Sequence, residues 1–305
     1  MVSLRAELMR IGIRWGIKRR SLHQSAEESR KQLRAMERLT PRPPATTRTV
    51  AVLAGGVKAD LVTVPGSKPH RHVLYFHGGA YRAGSASNYR HFTWRIAAAA
   101  QAALLVIDYR LAPEHPFPAA LEDAVSSYRW LLASGTSAAN TVFMGDSAGG
   151  GLTLAALLKA RDEGLALPAA AVVLSPWTDL ALTGESLTRN ANSDPMLNAV
   201  HLPRLAGEYL AGADPHLPYA SPLYGDLGGL PPLLIQVGGD EILLDDAVRF
   251  HKKMEDAGCK AELEIWPRMP HVWHLFAPAI PEARRAIQTI GGFVMRHTPD
   301  DSRAA

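Results

Sequence analysis

Short runs of β-prone apolar residues alternate along this chain with longer stretches whose apolar positions recur every three or four residues. Thr49–Ala54 and Ala59–Val64 read as a hairpin pair. His72–Phe76 and Ala103–Asp108 read as strands, each followed by a helix, near 88–101 and 118–132. Thr141–Met144 is a further strand, and the small-residue run after Gly149 is its helix. Ala170–Leu174, Leu233–Val237 and Ala261–Trp266 complete the strands, with helices at about 243–257 and 281–295. Residues 178–230 break the rhythm: Pro, Gly and Asn are frequent, and only a helix near 202–210 stands out. At the other end, residues 3–39 read as helical, with Leu4, Leu8, Ile11, Trp15 and Ile17 roughly on one face and a basic, solvated face opposite. Pro41-Arg42-Pro43-Pro44 closes that segment. Strands alternating with helices of this length imply right-handed crossovers and a mostly parallel central sheet with helices on both faces.

Composition narrows the class. The chain has 305 residues, 47% hydrophobic and 20% charged, enough for one large α/β domain or a core with a smaller cap. Its formal charge of +4 is local, because residues 1–48 carry twelve Lys and Arg against four Glu and the remainder is mildly acidic. The charge therefore describes the N-terminal segment and does not point to a nucleic-acid partner. The single cysteine, Cys259, excludes an intrachain disulfide and a Cys-based zinc site, and fits a reducing, cytoplasmic setting. No apolar run approaches a membrane span, and charges at 5, 7, 10 and 14 interrupt any signal-peptide core, so no stable membrane insertion is expected.

The chemistry concentrates at Gly145-Asp146-Ser147-Ala148-Gly149, a G-x-S-x-G between a strand and a helix. At such a turn the flanking positions must be small, and the serine hydroxyl stands above the sheet as a nucleophile. A hydroxyl needs a base, and the base an orienting acid, both from loops beyond the carboxyl ends of strands. Of twelve histidines only His271 and His274 lie in the loop after the last strand. His271, nearer the strand end, is the expected base, and His274 the expected structural histidine. For the acid, Asp240 follows Leu233–Val237 through Gly238-Gly239, and the adjacent Glu241 is expected to point elsewhere. The order Ser147, Asp240, His271 is that of the α/β-hydrolase fold. After the strand ending at Phe76 comes His77-Gly78-Gly79-Ala80, whose small residues let backbone N–H groups approach a ligand. Gly78, Gly79 and Ala148 are the expected oxyanion donors, with His77 positioning the loop.

Together with Asp108-Tyr109-Arg110-Leu111-Ala112-Pro113-Glu114, these motifs make residues 50–295 resemble the bacterial hormone-sensitive-lipase-like carboxylesterases. The resemblance implies an α/β-hydrolase fold with a helical cap. The expected layout is residues 1–45 as the N-terminal part of the cap, 46–177 as core, 178–230 as a cap insertion returning to the core, and 231–305 as core. It further implies metal-free and cofactor-free hydrolysis of short- to medium-chain carboxylic esters, with esters of bulky alcohols within reach and homodimerisation left open. Asp108-Tyr109-Arg110 is expected to support the oxyanion loop. Tyr81, Tyr109, Trp177, Met196 and Leu244 are candidate pocket residues, each more readily read as core or cap packing. Two positions depart from the family pattern: Ala80 replaces a third glycine, and Glu241 stands where proline is frequent. An arylacetamide deacetylase-like amide hydrolase, a lipase acting at an interface and a non-catalytic receptor on the same fold are the alternatives.

Overall fold

The computed structural model describes residues 2–18 and 25–300. Within residues 3–39, which read as helical, two helices form: α1 (Leu4–Ile13), prolonged by a π-helical turn at Arg14–Lys18, and α2 (Ala26–Glu37). Ser25 starts α2 with a reciprocal cap, its hydroxyl accepting from the Glu28 N–H while the Glu28 carboxylate accepts from the Ser25 N–H. Residues 19–24 and the Ile17 side chain lie outside the described residues. Leu4, Leu8, Ile11 and Trp15 are exposed, and the opposite face of α1, with Ala6, Arg10 and Ile13, turns inward. The basic face expected in solvent is thus partly used for attachment.

The strands fall within a few residues of expectation. They are β1 (Arg48–Ala54), β2 (Val57–Thr63), β3 (Lys68–Phe76), β4 (Ala102–Ile107), β5 (Thr141–Asp146), β6 (Ala170–Leu174), β7 (Leu233–Gly238) and β8 (Ala261–Trp266). One eight-stranded sheet results, in the order β1-β2-β4-β3-β5-β6-β7-β8. β2 pairs antiparallel with β1 and β4, and every pairing from β4 to β8 is parallel. The helices are α3 (Ala86–Ala100), α4 (Ala119–Ala133), α5 (Ala148–Asp162), the short α6 (Ser186–Arg189), α7 (Leu202–Leu210), α8 (Leu244–Asp256) and α9 (Pro281–His297).

β4, β5, β6 and β7 are buried throughout, as unbroken apolar runs require when both faces of a sheet are covered. Alternate side chains divide between two cores. Val73 and Tyr75 of β3 and Val142 and Met144 of β5 pack toward α3 and α9. Leu74, Phe76 and Phe143 pack toward α4, α5 and α8 on the other face. The sheet thereby holds the carboxyl ends of β3, β5, β7 and β8 along one rim. Among the described residues no helix is long and apolar enough to cross a membrane.

Candidate active site

Ser147 lies between the end of β5 and the start of α5, with φ 54° and ψ −123°. A non-glycine residue at such dihedrals costs about 1–3 kcal/mol and persists only when its surroundings hold it there. The hold is visible on both sides. A Cβ on Gly145 would come 2.2 Å from the Gly149 carbonyl oxygen, and one on Gly149 would come 2.1 Å from that of Phe76. The Ser147 N–H donates to Leu174 O at 2.8 Å, and its carbonyl accepts from the Trp177 N–H at 3.0 Å. The hydroxyl does not cap α5, so it remains available to an external partner.

That partner is His271, in the loop after β8. Its Nε2 lies 2.8 Å from Ser147 Oγ and its Nδ1 2.7 Å from Glu241 Oε2. The carboxylate accepts from Nδ1–H, which leaves the Nε2 lone pair to accept from the serine hydroxyl. Burial opposes the imidazolium, but the adjacent Glu241 carboxylate, with Asp194 and Asp146 beyond it, outweighs burial and raises the His271 pKa above its ordinary value. His274 is fully buried, donates from Nε2 to Gln236 Oε1 at 2.8 Å and packs on the Trp273 ring. Burial, reinforced by His271, pushes its pKa down to about 3, so it is a neutral structural residue.

The carboxylate position departs from expectation. Asp240 does not face His271: its side chain is 21% exposed and ion-paired with Arg10 of α1. Glu241 does, and is fully buried. Its Oε1 accepts from Ser175 Oγ–H and from the Gly238 N–H, both at 2.6 Å, which leaves Oε2 for the imidazole. The physical reason is the turn after β7. The Gly239 N–H donates to Trp266 O and the Glu241 N–H to Gly238 O, a tight reversal that turns residue 240 outward and residue 241 back under the loop. The other acids nearby are occupied. Asp194 caps the backbone N–H groups of Met196, Leu197 and Ile242, and Asp246 accepts from those of Thr178 and Asp179.

The loop after β3 departs from expectation at Gly78. The Gly78 N–H points away from the nucleophile and is shared between Asp146 Oδ1 and Tyr89 Oη, each at 3.0 Å. The N–H groups of Gly79 and Ala80 donate to no acceptor among the described residues, and neither does that of Ala148, an orphan donor at the first turn of α5. Ala80 has φ 53°, in the left-handed region where glycine is the easier residue. His77 is buried against the Tyr109 ring at 4.3 Å, with Nδ1 2.8 Å from the Gly78 carbonyl oxygen. Burial lowers its pKa. Tyr109 Oη donates to His77 O, Asp108 accepts from the Ala86 N–H, and Arg110 pairs with Asp123, so this segment braces the loop from below.

Beside Gly79 and Ala80 opens a cavity of about 280 Å³, walled by Leu33 of α2, Met196, Leu197 and Leu202. Of the five candidate pocket residues only Met196 reaches it. Tyr81 is stacked on Tyr209 at 3.7 Å, Tyr109 and Trp177 are buried, and Leu244 begins α8. These four pack the surrounding core instead. The three aromatic side chains fill the space under the rim and Leu244 packs partly buried against the same core, and pattern alone does not separate such packing from a pocket wall. Among the described residues no cluster of His, Cys, Asp and Glu is arranged to hold a metal ion.

A family model described as alpha/beta hydrolase fold matches residues 73–275. An acetyl-hydrolase of Streptomyces hygroscopicus is 48% identical over 84% of this chain and 84% of its own length. A carboxylesterase/phospholipase of Mycobacterium tuberculosis is 36% identical over 84% of this chain and 71% of its own. The crystal structure of an esterase from the bacterial hormone-sensitive lipase family superposes with a TM-score of 0.93 at 44% identity, covering 98% of this chain and 99% of that one. With an eight-stranded sheet, a serine at the elbow and a histidine on its hydroxyl, the chain belongs to the hormone-sensitive-lipase-like carboxylesterases of the α/β-hydrolase family and is a carboxylic-ester hydrolase.

Proposed function

We propose that Ser147, His271 and Glu241 are the catalytic triad of an acyl-enzyme mechanism acting on short- to medium-chain esters. The observation that carries this reading is the unbroken hydrogen-bond path from Ser147 Oγ through the imidazole to Glu241, 2.8 Å and 2.7 Å. Ser147 Oγ attacks the ester carbonyl carbon as its proton passes to His271 Nε2, forming a tetrahedral oxyanion. Glu241 holds the imidazole in the right tautomer and balances its charge. The N–H groups of Gly79, Ala80 and Ala148 receive the oxyanion, each such donor being worth roughly 3–4 kcal/mol in comparable sites. The C–O bond to the alcohol then breaks, with the proton on Nε2 going to the leaving oxygen. Water attacks the acyl-enzyme by the same route, releasing the acid and restoring the serine.

The cavity is lined by Gly79 and Ala80, the oxyanion donors of this reading, and its leucine and methionine walls suit an apolar substituent. The relative named for acetyl hydrolysis supports the short end of the acyl range. Residues 1–45 and 178–230 supply the cover over this site in our reading, since α2 and the 196–205 segment wall the cavity from above. Esters of bulky alcohols are included on the resemblance of the His77-Gly78-Gly79-Ala80 loop to those of the family alone.

Ser147→Ala tests the reading. Hydrolysis of p-nitrophenyl butyrate and labelling by a fluorophosphonate are both expected to vanish in a folded protein. Turnover near the parent rate would refute it.

A further inference from the structure

Asp146, between Gly145 and the nucleophile, is 1% exposed and has no Lys or Arg partner among the described residues. Its carboxylate is held by neutral donors. Oδ1 accepts from Tyr75 Oη–H at 2.7 Å and from the Gly78 N–H at 3.0 Å, and Oδ2 accepts from Tyr89 Oη–H at 2.7 Å. Burying a charge without a counter-ion is costly, so these neutral donors are what hold it. One of the donors is what gives the arrangement a use. Gly78 comes from the loop after β3, whereas Asp146 is bonded directly to Ser147. A Cβ on Gly78 would fall 2.3 Å from Asp146 Oδ2, so the loop reaches the carboxylate only because that residue is glycine. Taking the Gly78 N–H fixes the orientation of the peptide that leads into Gly79 and Ala80. Their own N–H groups are then the ones left unclaimed.

We propose that Asp146 is a positioning residue that docks the oxyanion loop against the nucleophile, setting where the hole lies relative to Ser147 Oγ. The inference rests on the acyl-enzyme reading above. Asp146 touches neither substrate nor the reacting atoms; it acts through the backbone of residues 78–80. Such a device works on the transition state, since the oxyanion reaches its full charge only there, and it should leave ground-state binding nearly alone.

The test compares full-length Asp146→Ala, Asp146→Asn and Tyr89→Phe with the parent, by kcat and KM on p-nitrophenyl butyrate and by thermal melting. Asparagine keeps Oδ1 for Tyr75 and Gly78 and offers its amide to Tyr89 Oη, which can rotate to accept. Asp146→Ala is expected to lower kcat about 10²–10³-fold, the cost of a misaligned oxyanion donor, with KM within about threefold of the parent. Asp146→Asn should recover to within about tenfold of parental kcat, a rescue that loss of the charge alone would not allow. A folded Asp146→Ala with parental kcat, a rise confined to KM, or an asparagine variant as slow as alanine would each overturn the proposal. Should the alanine variant not fold, Tyr89→Phe decides. It removes a donor to Asp146 and the second acceptor of the Gly78 N–H, so a roughly tenfold lower kcat at unchanged KM supports the proposal, and an unchanged kcat overturns it. Ser147→Ala keeps the two readings apart: turnover in that variant removes the triad itself, whereas an inactive Ser147→Ala beside a parental Asp146→Ala removes only the docking role.

Discussion

Glu241 and Asp240 differ by one methylene and one step along the chain, and that step separates a buried partner of His271 from a rim residue paired with Arg10. The consequence is measurable in the pH dependence. The Glu241 carboxylate outweighs burial and raises the His271 pKa, and the base must be neutral to accept the serine proton. Activity is therefore present at alkaline pH and lost as pH falls through the raised value. The acid limb of kcat/KM for a soluble ester should have its midpoint above the ordinary histidine value of 6.5. A pH-rate profile with a midpoint below 6.5 would contradict this electrostatic account. Ser147 and His271 were legible in the sequence because each stands at a position that chain punctuation defines: a glycine-flanked strand-to-helix turn, and the first histidine after the last strand. Glu241 was not, because two adjacent acids satisfy the same pattern and a single turn of backbone chooses between them. The Gly78 N–H was hard to read for a similar reason: it bonds Asp146 and Tyr89, which come from other elements.

At the scale of elements, α1 is fastened to the loops around the site by polar contacts and not by its apolar row. Arg10 pairs with Glu7 and Asp240, Glu7 with Arg268, and Glu282 accepts from the Ser3 hydroxyl and backbone N–H. Arg14 donates to the carbonyls of Asn192 and Ser193. These contacts are partly solvated, so each is worth little alone. Arg10→Ala is expected to lower stability by about 1 kcal/mol or less, with a smaller effect at high salt. Its kcat should stay within about threefold of the parent, because the carboxylate it releases is not the one that orients His271. A thermal melt in low and high salt, paired with kcat, checks this; a loss of a hundredfold or more in kcat would mean that the 240 position matters to the chemistry. The break between α1 and α2 was also readable, since Ser25-Ala26-Glu27-Glu28 carries the capping-box spacing. Apolar periodicity across residues 3–39 masked it.

For the whole molecule, the topology is what assembles the site. Ser147 follows β5, Glu241 follows β7 and His271 follows β8. Parallel pairing from β5 through β8 points all three carboxyl ends the same way, and β3 adds the loop at residues 77–80. This much was legible because the alternation of strand and helix dictates right-handed crossovers, which leave few arrangements of the strands. What the pattern could not supply was orientation within the rim: which acid turns inward, which N–H groups stay free, which aromatic side chains line space and which fill it. Each depends on contacts between residues distant in sequence. The central claim is that the chain from Ser147 through His271 ends on Glu241, and kcat/KM measured side by side for Glu241→Gln and Asp240→Asn tests it most directly. Glutamine presents an amide where the imidazole N–H needs an acceptor, so a loss of about 10²–10⁴-fold is expected, by analogy with the same change in other triads. Asp240→Asn should remain within about threefold of the parent. A folded Glu241→Gln with parental activity, or an Asp240→Asn that loses a hundredfold or more, would contradict the account.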